Sequence, residues 1–157
     1  MNGERLDAIK GYDRRYLVAC AGGETGAATR RMLVYDLLDD RTDPPAVATR
    51  LEDFGLTPED IRLWTRVFDI LCGRVTHIVG VIEDFDGGYV WELGLLFAPS
   101  YREKVWLLKR EYSDAETERE RYKNGMAASH VEVLLTGNRC YEWSDTDELR
   151  TSVDEIP

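Results

Sequence analysis

THIVGVIEDFDGGYVWELGLLFA, residues 76–98, changes its pattern twice. His77 to Ile82 is an apolar, β-branched run of strand length. Residues 83–88 are acidic and contain glycine, the chemistry of a turn. Residues 89–98 resume as an apolar helix pattern in which Glu92 is the only charged residue. Strand, turn and helix in this order form half of a βαβ unit, and open α/β sheets bind ligands beyond the carboxyl ends of their strands. A helix this apolar is expected to be buried on most sides. A buried carboxylate then needs a cation, a set of backbone amides or a chemical task.

Outward from this unit, strands and helices alternate. Downstream, residues 104–109 (KVWLLK) read as another buried strand, residues 111–123 mix Glu and Arg as a solvated helical face, residues 131–135 are the last strand candidate, and residues 145–153 form a short terminal helix. Upstream, Ile61, Trp64, Phe68 and Leu71 recur at helical spacing behind a Thr57 and Asp60 capping pattern, with Pro58 at the first helical position and Gly73 closing the helix. A short strand falls at about residues 46–51, after the turn-forming DDRTDPP. Ala27, Met32, Leu33, Leu37 and Leu38 place a helix over residues 25–38, and RRYLVAC supplies the first strand, residues 16–20, behind a polar lead-in of residues 1–13. The glycines that follow, GGETGAA, do not fit the dinucleotide fingerprint G-x-G-x-x-G. The alternation predicts an α/β protein: a flavodoxin-like (Rossmann-like) three-layer sandwich around a parallel sheet of about five strands. A chain of 157 residues suits one such domain, residues 1–157, and contains no internal repeat or linker.

Composition excludes several classes of function. A net charge of −10 repels nucleic acid polymers and anionic membranes, so neither is an expected partner. No apolar run approaches the roughly 20 residues of a membrane span, and the N-terminus lacks the apolar core of a signal peptide, which points to the cytoplasm. Cys20, Cys72 and Cys140 lie far apart with no Cys-x-x-Cys step, and His77 and His130 are isolated from them in sequence, so neither a disulfide nor a zinc site is expected, and with no dinucleotide fingerprint no cofactor is expected either. Cys20 and Cys72 read as buried thiols and His77 as a packed strand residue.

Asp84, Asp86 and Glu92 crowd the turn and the start of the helix. Like charges under partial burial cannot all ionise easily, which is how acid, base and nucleophile roles become separated. At these residues the chain resembles the nucleoside 2-deoxyribosyltransferase family. Asp86, Gly88, Glu92 and Gly94 in DGGYVWELG match its Asp, Gly and Glu-x-Gly motif, including the six-residue step from Asp to Glu. Tyr16 in the first strand, Asp69 in VFDILCG, and Asn124 with Met126 in KNGMAAS match further positions in order, so the resemblance extends over residues 16–135. The chain contains no glutamine, and GGETG lacks the base-stacking aromatic that often follows the first strand in that family, so base preference is open.

The resemblance implies a pentosyltransferase that exchanges nucleobases on 2′-deoxyribonucleosides, with retention, through a covalent 2-deoxyribosyl-Glu92 intermediate. It implies that Tyr16 orients Glu92, that Asp69 binds and protonates the base, and that Asp86, Gly88, Asn124 and Met126 contact substrate. Its partners are a small deoxynucleoside and a free nucleobase. It also implies a homo-oligomer, a dimer or multiple of dimers, in which Asn124 and Met126 reach a neighbouring subunit's site. Related enzymes of the same fold hydrolyse nucleoside 5′-monophosphates and carry Ser where this chain has Asp86 and Asn124. A hydroxyl donates to a phosphate, whereas a carboxylate repels one and accepts from a free 5′-hydroxyl, so a nucleoside is favoured. A non-catalytic nucleoside- or nucleotide-sensing domain is a third possibility, since fold alone does not establish chemistry; the joint presence of Glu92, Asp86, Tyr16 and Asn124 argues against it.

Overall fold

The structure, a computed structural model, describes residues 3–19, 26–86 and 89–157. Five strands, β1 (Arg14–Ala19), β2 (Ala46–Thr49), β3 (His77–Ile82), β4 (Val105–Arg110) and β5 (Cys140–Trp143), form one all-parallel sheet in the order β2-β1-β3-β4-β5. The register places Tyr16 beside Ala48 and His77, and Gly80 between Ala19 and Leu107. From β1 the chain steps outward to β2, then returns to the other side of β1 for β3. The carboxyl ends of β1 and β3 therefore flank the point where strand order reverses, the crevice in which such sheets hold ligands.

Alternation along each strand divides the core between two faces. Leu17, Ala19, Ile78, Ile82 and Leu107 pack with α3 (Ile61–Arg74), α4 (Tyr89–Leu96) and α6 (Gly125–Thr136). Tyr16, Val18, Val79, Val81, Leu108 and Trp143 pack with α2 (Gly26–Asp39) and α7 (Thr146–Asp154). Leu71 and Leu107 on the first face and Leu38 and Leu108 on the second are wholly buried, each burial favouring the fold by roughly 1.5–3 kcal/mol. α5 (Ala115–Arg121) contributes no buried residue and is the solvated face that its mixed charges predict. Among the described residues no helix is long and apolar enough to cross a membrane.

Three local expectations are corrected. Residues 1–13 are more than a lead-in: α1 (Gly3–Ala8) and a 3-10 turn (Ile9–Gly11) carry Leu6 and Ile9, three residues apart, into the core beside α3. Residues 131–135 are helix rather than strand, because Ala127, Val131 and Leu134 fall on one face of α6 and the Asn124 side chain caps its start. The last strand is instead Cys140–Trp143, an edge strand of four residues in which only Cys140 and Trp143 are buried. Finally, α3 runs through Gly73 to Arg74, and the Val75 N–H closes it on the Leu71 carbonyl. Strand β1 ends within the described residues at Ala19, and Cys20 lies outside them.

Candidate active site

Glu92 sits on the first turn of α4, whose Leu93 and Leu96 anchor it in the core beneath the carboxyl edge of the sheet. Its side chain lines a pocket with residues 17–19 at the end of β1, Trp64 and Phe68 of α3, Arg31 of α2, and Leu51 with Glu52 of a 3-10 turn (Leu51–Phe54). The Trp64 indole is held by its Nε1–H, which donates to the Thr57 carbonyl at 3.0 Å. Arg31 is 9% exposed, shares the inward side of α2 with Val34 and Leu38, and donates from Nη2 to Glu52. Its Nε is buried without a partner. Among the described residues the pocket thus combines two carboxylates, one guanidinium and two aromatic side chains.

The acidic turn divides its carboxylates between tasks. Glu83, 7% exposed, accepts from Arg30 Nε and Nη2 at 2.6 and 2.7 Å and from Arg110 Nη1 at 2.7 Å, so it holds α2 to β4. Both guanidiniums lie against the Trp143 ring, at 5.9 and 5.7 Å from its centroid. Asp84 is half-buried, accepts the Asp86 N–H at 2.9 Å and lies 3.6 Å from Arg121. The Asp86 side chain is exposed. Gly88 lies outside the described residues. Gly94, on α4, is exposed with open space around it.

Two residues assigned to catalysis from the sequence are placed elsewhere. Tyr16 is fully buried on the α2 and α7 face, opposite α4. Its hydroxyl donates to the Pro157 carbonyl at 2.8 Å and accepts from Arg41 Nη1 at 2.9 Å, so it ties down the segment after α7 and does not orient Glu92. Strand alternation is the reason: Leu17 and Ala19, not Tyr16, face the α4 layer. Asp69 is exposed on α3 and accepts the Tyr101 hydroxyl in a depression that adjoins the Glu92 pocket at Phe68 and is lined also by Arg62, Arg66 and Leu95. That hydrogen bond to the carboxylate, with burial, pushes the Tyr101 hydroxyl up to about 12. Asp69 does not line the Glu92 pocket.

Asn124 caps α6, its side-chain oxygen accepting the Ala127 N–H at 3.2 Å, and Met126 on the same helix is 72% exposed. Nor is α4 buried on most sides, since Trp91 is 82% exposed and Leu95 is exposed one turn on. Cys72 and Cys140 are buried free thiols, each pushed up to about 12 chiefly by burial. Burial, reinforced by Arg14 and Arg41, lowers the pKa of His77. Sequence reasoning missed Arg31 and Glu52 and read Trp64 and Phe68 only as a core stripe. Family models, curated proteins and solved structures yielded no match to this chain.

Proposed function

We propose that this protein is a nucleoside 2-deoxyribosyltransferase of the cytoplasm, moving the 2-deoxyribosyl group between nucleobases by way of Glu92. The observation that carries this is the placement of Glu92: a carboxylate on the first turn of α4, lining a partly aromatic pocket at the carboxyl end of β1. In the first half-reaction a Glu92 carboxylate oxygen bonds to C1′ while the C1′–N bond breaks, and its electron pair leaves with the base. In the second, a nitrogen of the incoming base attacks C1′, the ester bond returns its pair to Glu92, and the new base sheds its proton to solvent. Water in place of the second base gives free deoxyribose. Half-buried Asp84 and exposed Asp86 follow the carboxyl end of β3, and their charge disfavours a 5′-phosphate, so 5′-monophosphates should react more slowly than nucleosides.

The working form we assign is a homo-oligomer. In support, α4 and α6 expose Trp91, Leu95, Met126 and Val133, large apolar side chains that a second subunit would cover.

Incubation with thymidine or deoxyinosine, with and without free adenine, tests the activity. A new deoxynucleoside should appear only with acceptor, and Glu92→Ala should lose at least ~10³-fold in turnover while keeping its fold. A 2-deoxy-2-fluoro-arabino nucleoside should raise the protein mass by one fluorosugar, mapping to Glu92. Free deoxyribose formed at one rate regardless of acceptor, or a label on another residue, rejects the assignment.

A further inference from the structure

With Asp69 outside the pocket, nothing so far described receives the charge that a nucleobase takes on as its glycosidic bond breaks. Arg31 is placed to do so. A guanidinium stays protonated at any ordinary pH and is costly to bury unless its donors are satisfied. Glu52, itself 45% exposed at the side chain, engages Nη2, and the buried Nε is sealed from solvent, so Nη1 is the nitrogen of this pocket-lining guanidinium left to meet a bound acceptor. The same pocket holds Glu92, so an acceptor completing Arg31 would stand beside the proposed nucleophile.

We infer that Arg31 binds the departing nucleobase at a ring carbonyl and stabilises the negative charge that collects there, which selects oxo-bearing bases such as hypoxanthine over adenine; this rests on the deoxyribosyl transfer proposed above. Pocket chemistry favours a neutral ring with an oxo group over an anionic ligand, because Glu52 and Glu92 repel phosphate and carboxylate, while Trp64 and Phe68 offer apolar faces. Size agrees with the edge of a ring. The cavity is about 40 Å³, room for an oxo substituent and its neighbouring atoms but not for a whole nucleoside, so the rest of the ring and the sugar stay outside it. As a Glu92 oxygen bonds to C1′, the pair from the C1′–N bond spreads onto the base oxygen facing Arg31. Arg31 keeps its proton throughout, and the base anion takes one from water after it leaves. Adenine presents an amino donor where hypoxanthine has its oxygen, and two donors cannot pair.

The test compares deoxyinosine, deoxyadenosine and 7-methyl-2′-deoxyguanosine, whose base departs neutral and needs no charge stabilisation. Wild type should prefer deoxyinosine to deoxyadenosine. Arg31→Gln should lower kcat on deoxyinosine by roughly 10²-fold, the scale of losing one donor to a developing anion, and lower the 7-methyl substrate far less. Arg31→Lys, which retains the charge, should fall between. Calorimetry with free hypoxanthine and adenine needs no turnover: hypoxanthine should bind more tightly to wild type, and Arg31→Gln should lose the difference. If no nucleoside is turned over, the transferase assignment fails, while selective hypoxanthine binding lost in Arg31→Gln upholds the role of Arg31 in binding the base. If nucleosides are exchanged but Arg31→Gln slows all three substrates equally, or wild type binds adenine as tightly as hypoxanthine, Arg31 is only a structural ion and the inference is overturned. The wild-type comparison decides alone if neither variant folds.

Discussion

Tyr16 shows how one side chain changes its task when the face it occupies becomes known. Its hydroxyl joins the Pro157 carbonyl and Arg41 inside a fully buried site, so Tyr16→Phe leaves those groups short of a partner. The expected loss is about 1–3 kcal/mol of stability, read as a fall in thermal midpoint, with kcat on deoxyinosine unchanged. A variant that melts like wild type but loses turnover would return Tyr16 to the site. Asp69→Asn should likewise leave turnover intact, since its carboxylate meets Tyr101 and not the Glu92 pocket. His77 gives a pH dependence with a definite sign. Burial, then Arg14 and Arg41, lower its folded pKa, so the unfolded chain binds the proton more readily. Stability is complete above the ordinary His value near 6.5 and declines as pH falls through it toward the folded pKa. Melting at pH 7.5 and 5.5 should show that decline, and His77→Asn should shrink it; an unchanged slope rejects the assignment. Glu92 was legible in the sequence because a single charge stands out in an apolar helix. Arg31 was not, because its burial depends on α2 lying over the end of β1, which spacing within α2 does not reveal.

Helix α6 and strand β5 mark where element type was hardest to read. Val131 to Leu135 is too short and too apolar to distinguish strand from buried helix by periodicity, and its partners Ala127 and Asn124 lie in a segment rich in small residues. The strand that was missed has four residues, sits at the sheet edge and buries only its two ends, so it shows no run. By contrast β3, β4 and α3 were legible from long patterns with strong boundaries, and α7 from Asp145, whose carboxylate accepts the N–H groups of Asp147 and Glu148. Asn124 now has two candidate tasks that separate cleanly. As the cap of α6, Asn124→Ala should cost about 1 kcal/mol, whereas Asn124→Asp should keep nearly all stability. If Asn124 also contacts substrate in a neighbouring subunit, Asn124→Asp should be stable yet slow. Chemical denaturation beside kcat/KM measures both, and an Asp variant that is stable and fully active leaves Asn124 only its cap.

The sheet order accounts for where the proposed site lies, but the outer surface of the α4 and α6 layer follows from no rule of the doubly wound fold. Trp91, Leu95, Met126 and Val133 are exposed there, and two of them, Trp91 and Leu95, flank Glu92 in sequence on the same helix. A chain with net charge −10 has ample polar residues to cover a helix face, yet α4 and α6 leave four large apolar side chains in water. If that face is the proposed subunit interface, exposed Trp91 is its natural anchor, because truncated tryptophans dominate interface energetics. Trp91→Glu should weaken self-association by at least ~30-fold, equivalent to about 2 kcal/mol, by adding a charge to a dry contact. Met126→Glu should act in the same direction. Light scattering after size exclusion should find wild type with the mass of two or more chains and each variant shifted toward one. Turnover should fall with the oligomer fraction and recover at high protein concentration, because a site shared between subunits is rebuilt by mass action. Wild type that elutes as a single chain and is fully active rejects both the interface and the sharing; a dissociated Trp91→Glu variant that keeps full turnover rejects the sharing alone.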